Sequence, residues 1–265
     1  MASALIELDE VRKTFDGGRS FALNDVSLRI DAGNFIAVVG GSGSGKTTTL
    51  KMINRLVEPD GGRVRFEGAV VAELDAPALR RRIGYVFQEI GLFPHMTVGE
   101  NIGITPQLLG WPRREIEARI AELLDLVELP QDFAARLPRA LSGGQRQRAG
   151  FARALAARAR VMLMDEPFGA LDPVTRDALG SAYRALHDRL GMTTVMVTHD
   201  VQEAVLLADR IVVMSAGRVA ADGTPRALMA GDGGVEAAAL MTMPRRQAER
   251  IHALLDANGG PGVHG

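Results

Sequence analysis

A chain of 265 residues with 46% hydrophobic and 24% charged side chains can bury a substantial core, as one large domain or two closely joined ones. Its formal net charge of −1 and lack of any long basic run leave no electrostatic footprint for nucleic acid, and its lack of cysteine excludes disulfides and thiolate metal sites, as suits a reducing compartment. No apolar stretch approaches the ~20 residues of a bilayer span, and Met1 to Glu7 has no signal-peptide pattern, so a role at a membrane would need a separate spanning chain.

From the N-terminus, Leu5 to Val11, Val26 to Ile30 and Val64 to Glu67 alternate apolar with polar side chains, which predicts short half-buried strands. Turns at Gly17-Gly18, Asp31-Ala32-Gly33 and Asp60-Gly61-Gly62 separate them, giving a small antiparallel sheet around the strand that follows. Phe15, in the loop after the first strand, is either a flat ring for stacking on adenine or a plain core residue.

Between strand-like Phe35 to Val39 and helix-like Thr48 to Ile53 lies Gly40-Gly41-Ser42-Gly43-Ser44-Gly45-Lys46-Thr47, a fit to G-x-x-x-x-G-K-[ST] without mismatch. Glycines let the backbone wrap an anion while its N–H groups and the positive end of the next helix point inward. Lys46 is expected at the β- and γ-phosphates and the Thr47 hydroxyl on Mg²⁺. Only three lysines, Lys13, Lys46 and Lys51, stand among 31 basic residues, so lysine at this position departs from a strong preference for arginine. A compact ammonium suits a pocket that a planar guanidinium would overfill.

Ile83 to Phe87 is the next predicted strand, ending at Gln88. The apolar stretch Glu89 to Val98 after it is either a buried hinge or a docking surface for an apolar partner. Ile116, Ile120, Leu123, Leu124 and Val127 recur at helical spacing, so about Glu89 to Arg160 reads as mainly helical. Within it Ser142 caps a helix running through Phe151 and Leu155, and Gly143-Gly144 either leave N–H groups for an anion or simply begin a capped helix. Val161 to Met164 read as a buried parallel strand closed by Asp165 and Glu166, suited to one metal ligand and one base or water-orienting group. Asp172 and Pro173 open a helix whose Leu179, Ala182, Leu186 and Leu190 are expected to face the core. Thr193 to Thr198 form another buried strand, ending at His199-Asp200. Ile211 to Ser215 and Arg218 to Ala221 make a hairpin about Ala216-Gly217, and the chain after Thr224 reads as helical, fraying into Gly259 to Gly262. Strand ends of a parallel sheet share one edge, so the glycine loop, Gln88, Asp165-Glu166 and His199 are expected to converge.

This set of residues resembles the ATP-binding subunits of ABC transporters, over nearly the whole chain from Ile6 to about Leu228. The resemblance implies an α/β P-loop fold of ABC type, a parallel core sheet with an N-terminal antiparallel β-subdomain and a helical subdomain insertion. It divides the chain into an ATP-binding core at 1–88 and 161–230, a helical signature subdomain at 89–160 and a helical tail at 231–265. In family terms Gly40, Gly41, Ser42, Gly43, Ser44, Gly45, Lys46 and Thr47, with Thr48 beside them, are the Walker A loop. Ser142, Gly143, Gly144 and Gln145 belong to the signature motif and Asp172 to the D-loop. Phe15 falls where the family usually places a tyrosine against adenine. Glu166, His199, Gln88 and Lys46 take the catalytic positions, and Thr47, Gln88 and Asp165 those around Mg²⁺, with ATP as the nucleotide.

Phe87 to Ile102 is most similar to importers of glycine betaine, choline, carnitine and other osmoprotectants. The implied protein is a homodimeric ATPase with shared ATP sites, peripheral on the cytoplasmic face of the membrane. It would drive import through permease subunits that dock near Ile90 to Val98, and act indirectly with a solute-binding protein. Many such ATPases carry a C-terminal pair of CBS modules, which the sequence given does not hold. The same motifs also fit an amino-acid or sulfonate importer ATPase. A soluble ABC ATPase of translation or DNA repair is more distant, because neither a second cassette nor a long coiled coil is present.

Overall fold

The computed structural model describes residues 4–88 and 91–242, with 246 and 250. Strands β1 (Ile6–Thr14) and β2 (Phe21–Ile30) pair antiparallel and turn Ile6, Leu8, Val11, Leu23, Val26, Leu28 and Ile30 inward. Both run further than their alternation predicts. Glu10 (φ 46°) and Asp25 (φ 54°) adopt left-handed backbone where the register shifts, and these bulges break the period of two.

Strand β3 (Phe35–Gly40), buried at every residue, passes through the glycine loop into helix α1 (Lys46–Ile53). Strands β4 (Gly61–Phe66) and β5 (Ala69–Val70) complete an antiparallel sheet ordered β2-β1-β4-β5. Helix α2 (Ala76–Arg81), capped by Asp75, leads into β6 (Ile83–Val86). Three helices follow: α3 (Val98–Leu108), opened by a Thr97/Glu100 capping box, α4 (Arg113–Leu126) and α5 (Gly143–Leu155). Beyond them come β7 (Val161–Asp165), α6 (Pro173–Leu190), β8 (Thr193–Val197), α7 (Val201–Leu207), β9 (Arg210–Ser215), β10 (Arg218–Gly223) and α8 (Pro225–Ala230).

The second sheet has the order β10-β9-β3-β8-β7-β6, parallel throughout except for β10, which returns antiparallel along β9. The hairpin turn holds Ala216 (φ 47°) and Gly217 (φ 74°), both left-handed, as a type I′ turn requires. A core covers each face. Phe35, Ala37 and Val39 of β3 join the core formed with the helices, whereas Ile36 and Val38 join the one shared with the antiparallel sheet. Burial on both faces is why β3 and β7 are unbroken apolar runs.

Leu190 departs from expectation. Leu179 and Leu186 are buried and Ala182 is half-buried, but Leu190 is 54% exposed, while Tyr183 and His187 fill the inner face of α6. Leu190 shares the stripe by angle yet occupies the last turn, where left-handed Gly191 (φ 59°) reverses the chain toward β8. After α8 the chain is helical again over 234–242. The expected end at Gly259 to Gly262 lies outside the described residues, as do Glu89 and Ile90. Among the described residues, no helix is long and apolar enough to cross a membrane.

Leu186→Ala should therefore cost about 2–5 kcal/mol of folding stability through the cavity it leaves. Leu190→Ala should cost ~0.5 kcal/mol or less. Urea denaturation of both variants checks this, and equal losses would return Leu190 to the core.

Candidate functional site

Because β3, β8, β7 and β6 run parallel, their C-terminal ends meet along one edge. At β3 the chain turns sharply, with Gly40 at φ 153°, Gly43 at 75° and Gly45 at 103°. A Cβ on Gly40 would lie 2.2 Å from the Met214 carbonyl oxygen and one on Gly45 2.5 Å from that of Ala22, so a side chain fits at neither. Gly41, Ser42 and Gly43 are exposed, and Thr48 is half-buried in the first turn of α1. The Ser44 hydroxyl is buried with no hydrogen-bond partner among the described residues. Lys46 Nζ donates to the carbonyls of Gly40 and Gly41, both at 2.9 Å. Burial holds its ammonium below the usual lysine range, partly opposed by the Glu166 and Asp165 carboxylates.

Thr47 Oγ1 donates to Asp165 Oδ1 at 2.9 Å, joining the start of α1 to the end of β7. Burial pushes the Asp165 carboxyl up, and the Thr47 hydrogen bond opposes it. A hydroxyl and a buried carboxylate side by side suit a hard cation such as Mg²⁺, which takes few protein oxygens and keeps several waters. That donor set fits the implied metal.

Glu166 follows in left-handed backbone (φ 49°), a conformation that costs a non-glycine residue of order 1–3 kcal/mol unless its surroundings hold it. Its N–H donates to the Val197 carbonyl at 2.9 Å, and its Oε2 lies 2.8 Å from His199 Nδ1. Lys46, Thr47, Asp165, Glu166 and His199 thus converge. Around His199, Asp200 caps α7 and pairs with Arg176 at 3.0 Å, and Arg176 also donates to the Leu171 carbonyl. The Thr198 hydroxyl donates to the buried Glu203 at 2.7 Å. These links tie the His199 turn to the loop carrying Asp172, which is exposed and caps α6 through the Thr175 N–H.

The other expected site residues stand apart. Gln88 is exposed just beyond β6, and Phe15 is 66% exposed with the Lys13 ammonium 5.5 Å from its ring centroid, which removes the core reading. Ser142 and Gln145 close a capping box on each other, Gly143 is exposed, and a Cβ added to Gly144 would meet Leu171 at 3.6 Å. Within one protomer, then, the start of α5 meets the 170–172 loop.

The family model described as ABC transporter matches residues 23–169. The chain is 51% identical to the choline transport ATP-binding protein OpuBA of Bacillus subtilis over 83% of its own length. This chain belongs to the ABC transporter family. It is equally 51% identical to the glycine betaine uptake system ATP-binding protein YehX of Escherichia coli, over 85% of this chain and 72% of that one. The match spans 58% of the length of OpuBA. Among solved ABC structures, a dimeric ATP-binding cassette in a post-hydrolysis state bound to ADP and Pi superposes with TM-score 0.77 at 36% identity, covering 83% of this chain and 99% of that one.

Gln147, Arg176, Thr198 and Glu203 did not emerge from the sequence. Gln147 carried one signal, a polar residue on the apolar face of its helix, one turn before Phe151. Glu203 is the most testable. Burial chiefly raises its carboxyl above the usual range, so the folded state binds the proton more tightly than the unfolded chain. The stability it contributes is full below the unfolded pKa and is lost as pH rises through the folded one. Glu203→Gln keeps an oxygen for Thr198 without the charge. It should raise the melting temperature at about pH 7.5, with the gain shrinking toward about pH 4; a gain that grows on acidification would reverse the assignment.

Proposed function

We propose that this chain is the ATP-hydrolysing subunit of an importer for a small quaternary ammonium osmoprotectant such as glycine betaine, choline or carnitine. It works peripherally on the cytoplasmic face of the membrane, with a separate permease that spans it and, through that permease, a solute-binding protein. The observation that carries the reading is the Glu166–His199 pair at the same sheet edge as Lys46, Thr47 and Asp165. The names of the relatives support the solute class.

In this mechanism the N–H groups of residues 41–47 and the positive end of α1 receive the phosphates, and Lys46 turns its ammonium from the loop carbonyls to phosphate oxygens. Thr47 and Asp165 would hold Mg²⁺, with Gln88 proposed as a further ligand, and the ion would supply neutralisation of the developing charge. Glu166 orients the water that attacks the γ-phosphate and takes up its proton, releasing ADP and phosphate. His199, bonded to Glu166 through Nδ1, presents its other ring nitrogen to the transition state. Phe15 offers its exposed face to adenine.

Two copies meet head to tail, so that Ser142, Gly143 and Gly144 of one complete the site around Lys46 of the other. The exposure of Ser142 and Gly143 supports this, since it leaves the N-terminal end of α5 open to a second copy. The functional division we propose is an ATP-binding core at 1–88 and 161–230, a signature subdomain at 89–160 and a tail at 231–265.

The permease contact we propose lies on the segment after Gln88. Phe93 is 41% exposed, with Pro94 and His95 exposed beside it, while Leu92 packs on the core and Met96 is half-buried. Buried Asn101 braces this shape by bonding the N–H and carbonyl of Phe93 and the carbonyls of Met96 and Thr97. A firm frame carrying an exposed ring suits a socket for a short helix.

Glu166→Gln should bind ATP but hydrolyse it at least ~100-fold more slowly and accumulate a closed dimer. Near-normal phosphate release by the purified variant would remove Glu166 from this role. Phe93→Asp should abolish solute-stimulated ATPase in reconstituted transporter while leaving nucleotide binding and the melting temperature of the isolated subunit unchanged. A melting temperature lowered by several degrees would make Phe93 a packing residue. In the same assay, stimulation by an unrelated amino acid and not by glycine betaine or choline would move the solute assignment.

A further inference from the structure

Gln147 is 5% exposed on α5, and its carboxamide is engaged on both sides. Nε2 donates to the carbonyls of Pro167, at 2.6 Å, and Glu166, at 3.3 Å, while Oε1 accepts from the Ala170 N–H at 3.0 Å. One side chain therefore satisfies both ends of the loop that leaves β7. The buried Pro167 carbonyl needs this, because a buried backbone group without a partner is costly, while the Glu166 carbonyl also accepts from the Gly169 N–H at 3.3 Å. The opposite side of Glu166 is fixed by β8, through its N–H to the Val197 carbonyl. Its left-handed backbone is thus clamped between β8 and α5.

Gln147 lies five residues after Ser142 on one uninterrupted helix, about 7.5 Å along the axis at 1.5 Å per residue. The same elements run close at a second place, where a Cβ added to Gly144 would lie 3.6 Å from Leu171 and 3.8 Å from the Ala170 carbonyl oxygen. A shift of the helix therefore pulls, through Gln147, on the loop that begins at Glu166.

We infer that Gln147 is a positioning residue linking the two nucleotide sites of the dimer: through it α5, whose first turn serves the partner's nucleotide, holds Glu166 over the protomer's own. The inference rests on the function proposed above. An anion drawn onto Ser142 and Gly143 displaces α5 as a rigid body, and the Gln147 carboxamide passes that displacement to the Glu166 and Pro167 carbonyls, one bond to each. Hydrolysis at one site therefore depends on occupancy of the other, with no contact between the two nucleotides.

Gln147→Met keeps the volume and removes the three side-chain hydrogen bonds. With the full chain, kcat for ATP should fall at least ~10-fold with KM within about twofold, and the Hill coefficient for ATP should drop toward one. In a Glu166→Gln background, ATP-driven dimerisation should be the same with and without Gln147→Met, because the shared interface is intact. The inference is overturned if kcat and the Hill coefficient stay at wild-type values, or if dimerisation is lost in parallel with turnover, which would make Gln147 a determinant of the interface. Should Gln147→Met melt far below the parent, Gln147→Glu is read in the same assays. It keeps the acceptor for Ala170 and loses the donors to Glu166 and Pro167, so it should show the same loss of kcat and cooperativity, and wild-type values would again overturn the inference. Wild-type turnover separates the two readings: a parent chain that hydrolyses no ATP defeats the proposed function and with it this inference, whereas an active, cooperative parent with an indistinguishable variant defeats the inference alone.

Discussion

The hydrogen bond from Thr47 to Asp165 joins residues 118 positions apart, and the rest of the site depends on it. It forms because parallel pairing sets Val38 of β3 level with Val197 of β8, and Val197 level with Asp165 of β7. A slip of one residue in either pairing would send the Asp165 side chain to the other face of the sheet and separate the phosphate loop from its acid. Register is held by burial on both faces, since the side chains of β3, β8 and β7 alternate between two apolar cores. Placement of the chemistry is therefore a product of packing.

Burial then sets the electrostatics. It draws the Lys46 ammonium and the Asp165 carboxyl each toward its neutral form, while their mutual attraction works the other way. Charges held at that balance in a desolvated edge interact more strongly with phosphate than they would in water. The strained Glu166 backbone belongs to the same economy of fixed positions, since β8 and α5 hold it where a relaxed residue would turn away.

The sequence made legible those features whose causes are local. The phosphate loop, the acidic end of β7, the Ser142 cap and the Ala216-Gly217 turn are contiguous, and each was read where it stands. Helix α3 falls inside the segment expected to be mainly helical, although it carries Gly99, Gly103 and Pro106, residues that ordinarily weaken a helix. The two glycines are there for packing: a Cβ on Gly99 would meet the Ala134 carbonyl oxygen at 3.1 Å, and one on Gly103 would meet Ile116 at 2.9 Å. The bulges at Glu10 and Asp25 hid the true length of β1 and β2, since alternation cannot be followed through a residue that breaks it. Gln147 and Arg176 were illegible for another reason. The partners of Gln147 are backbone groups, which leave no mark on sequence, and Arg176 meets the Leu171 carbonyl and the Asp200 carboxylate, the latter a pairing made only by the fold. Leu190 shows the converse, a residue with the right angle on a helix that ends before the core does.

The scarcity of lysine has a practical side. Lys13 is paired with Asp60, Lys51 is half-buried on α1, and Lys46 sits at the phosphate loop, so the side-chain amines of the whole chain number three. Acylating reagents that decorate most proteins indiscriminately have few targets here, and one of those is the residue assigned to phosphate. Covalent labelling followed by peptide mass measurement would therefore read occupancy of the loop directly, with the arginine-rich surface silent to the reagent.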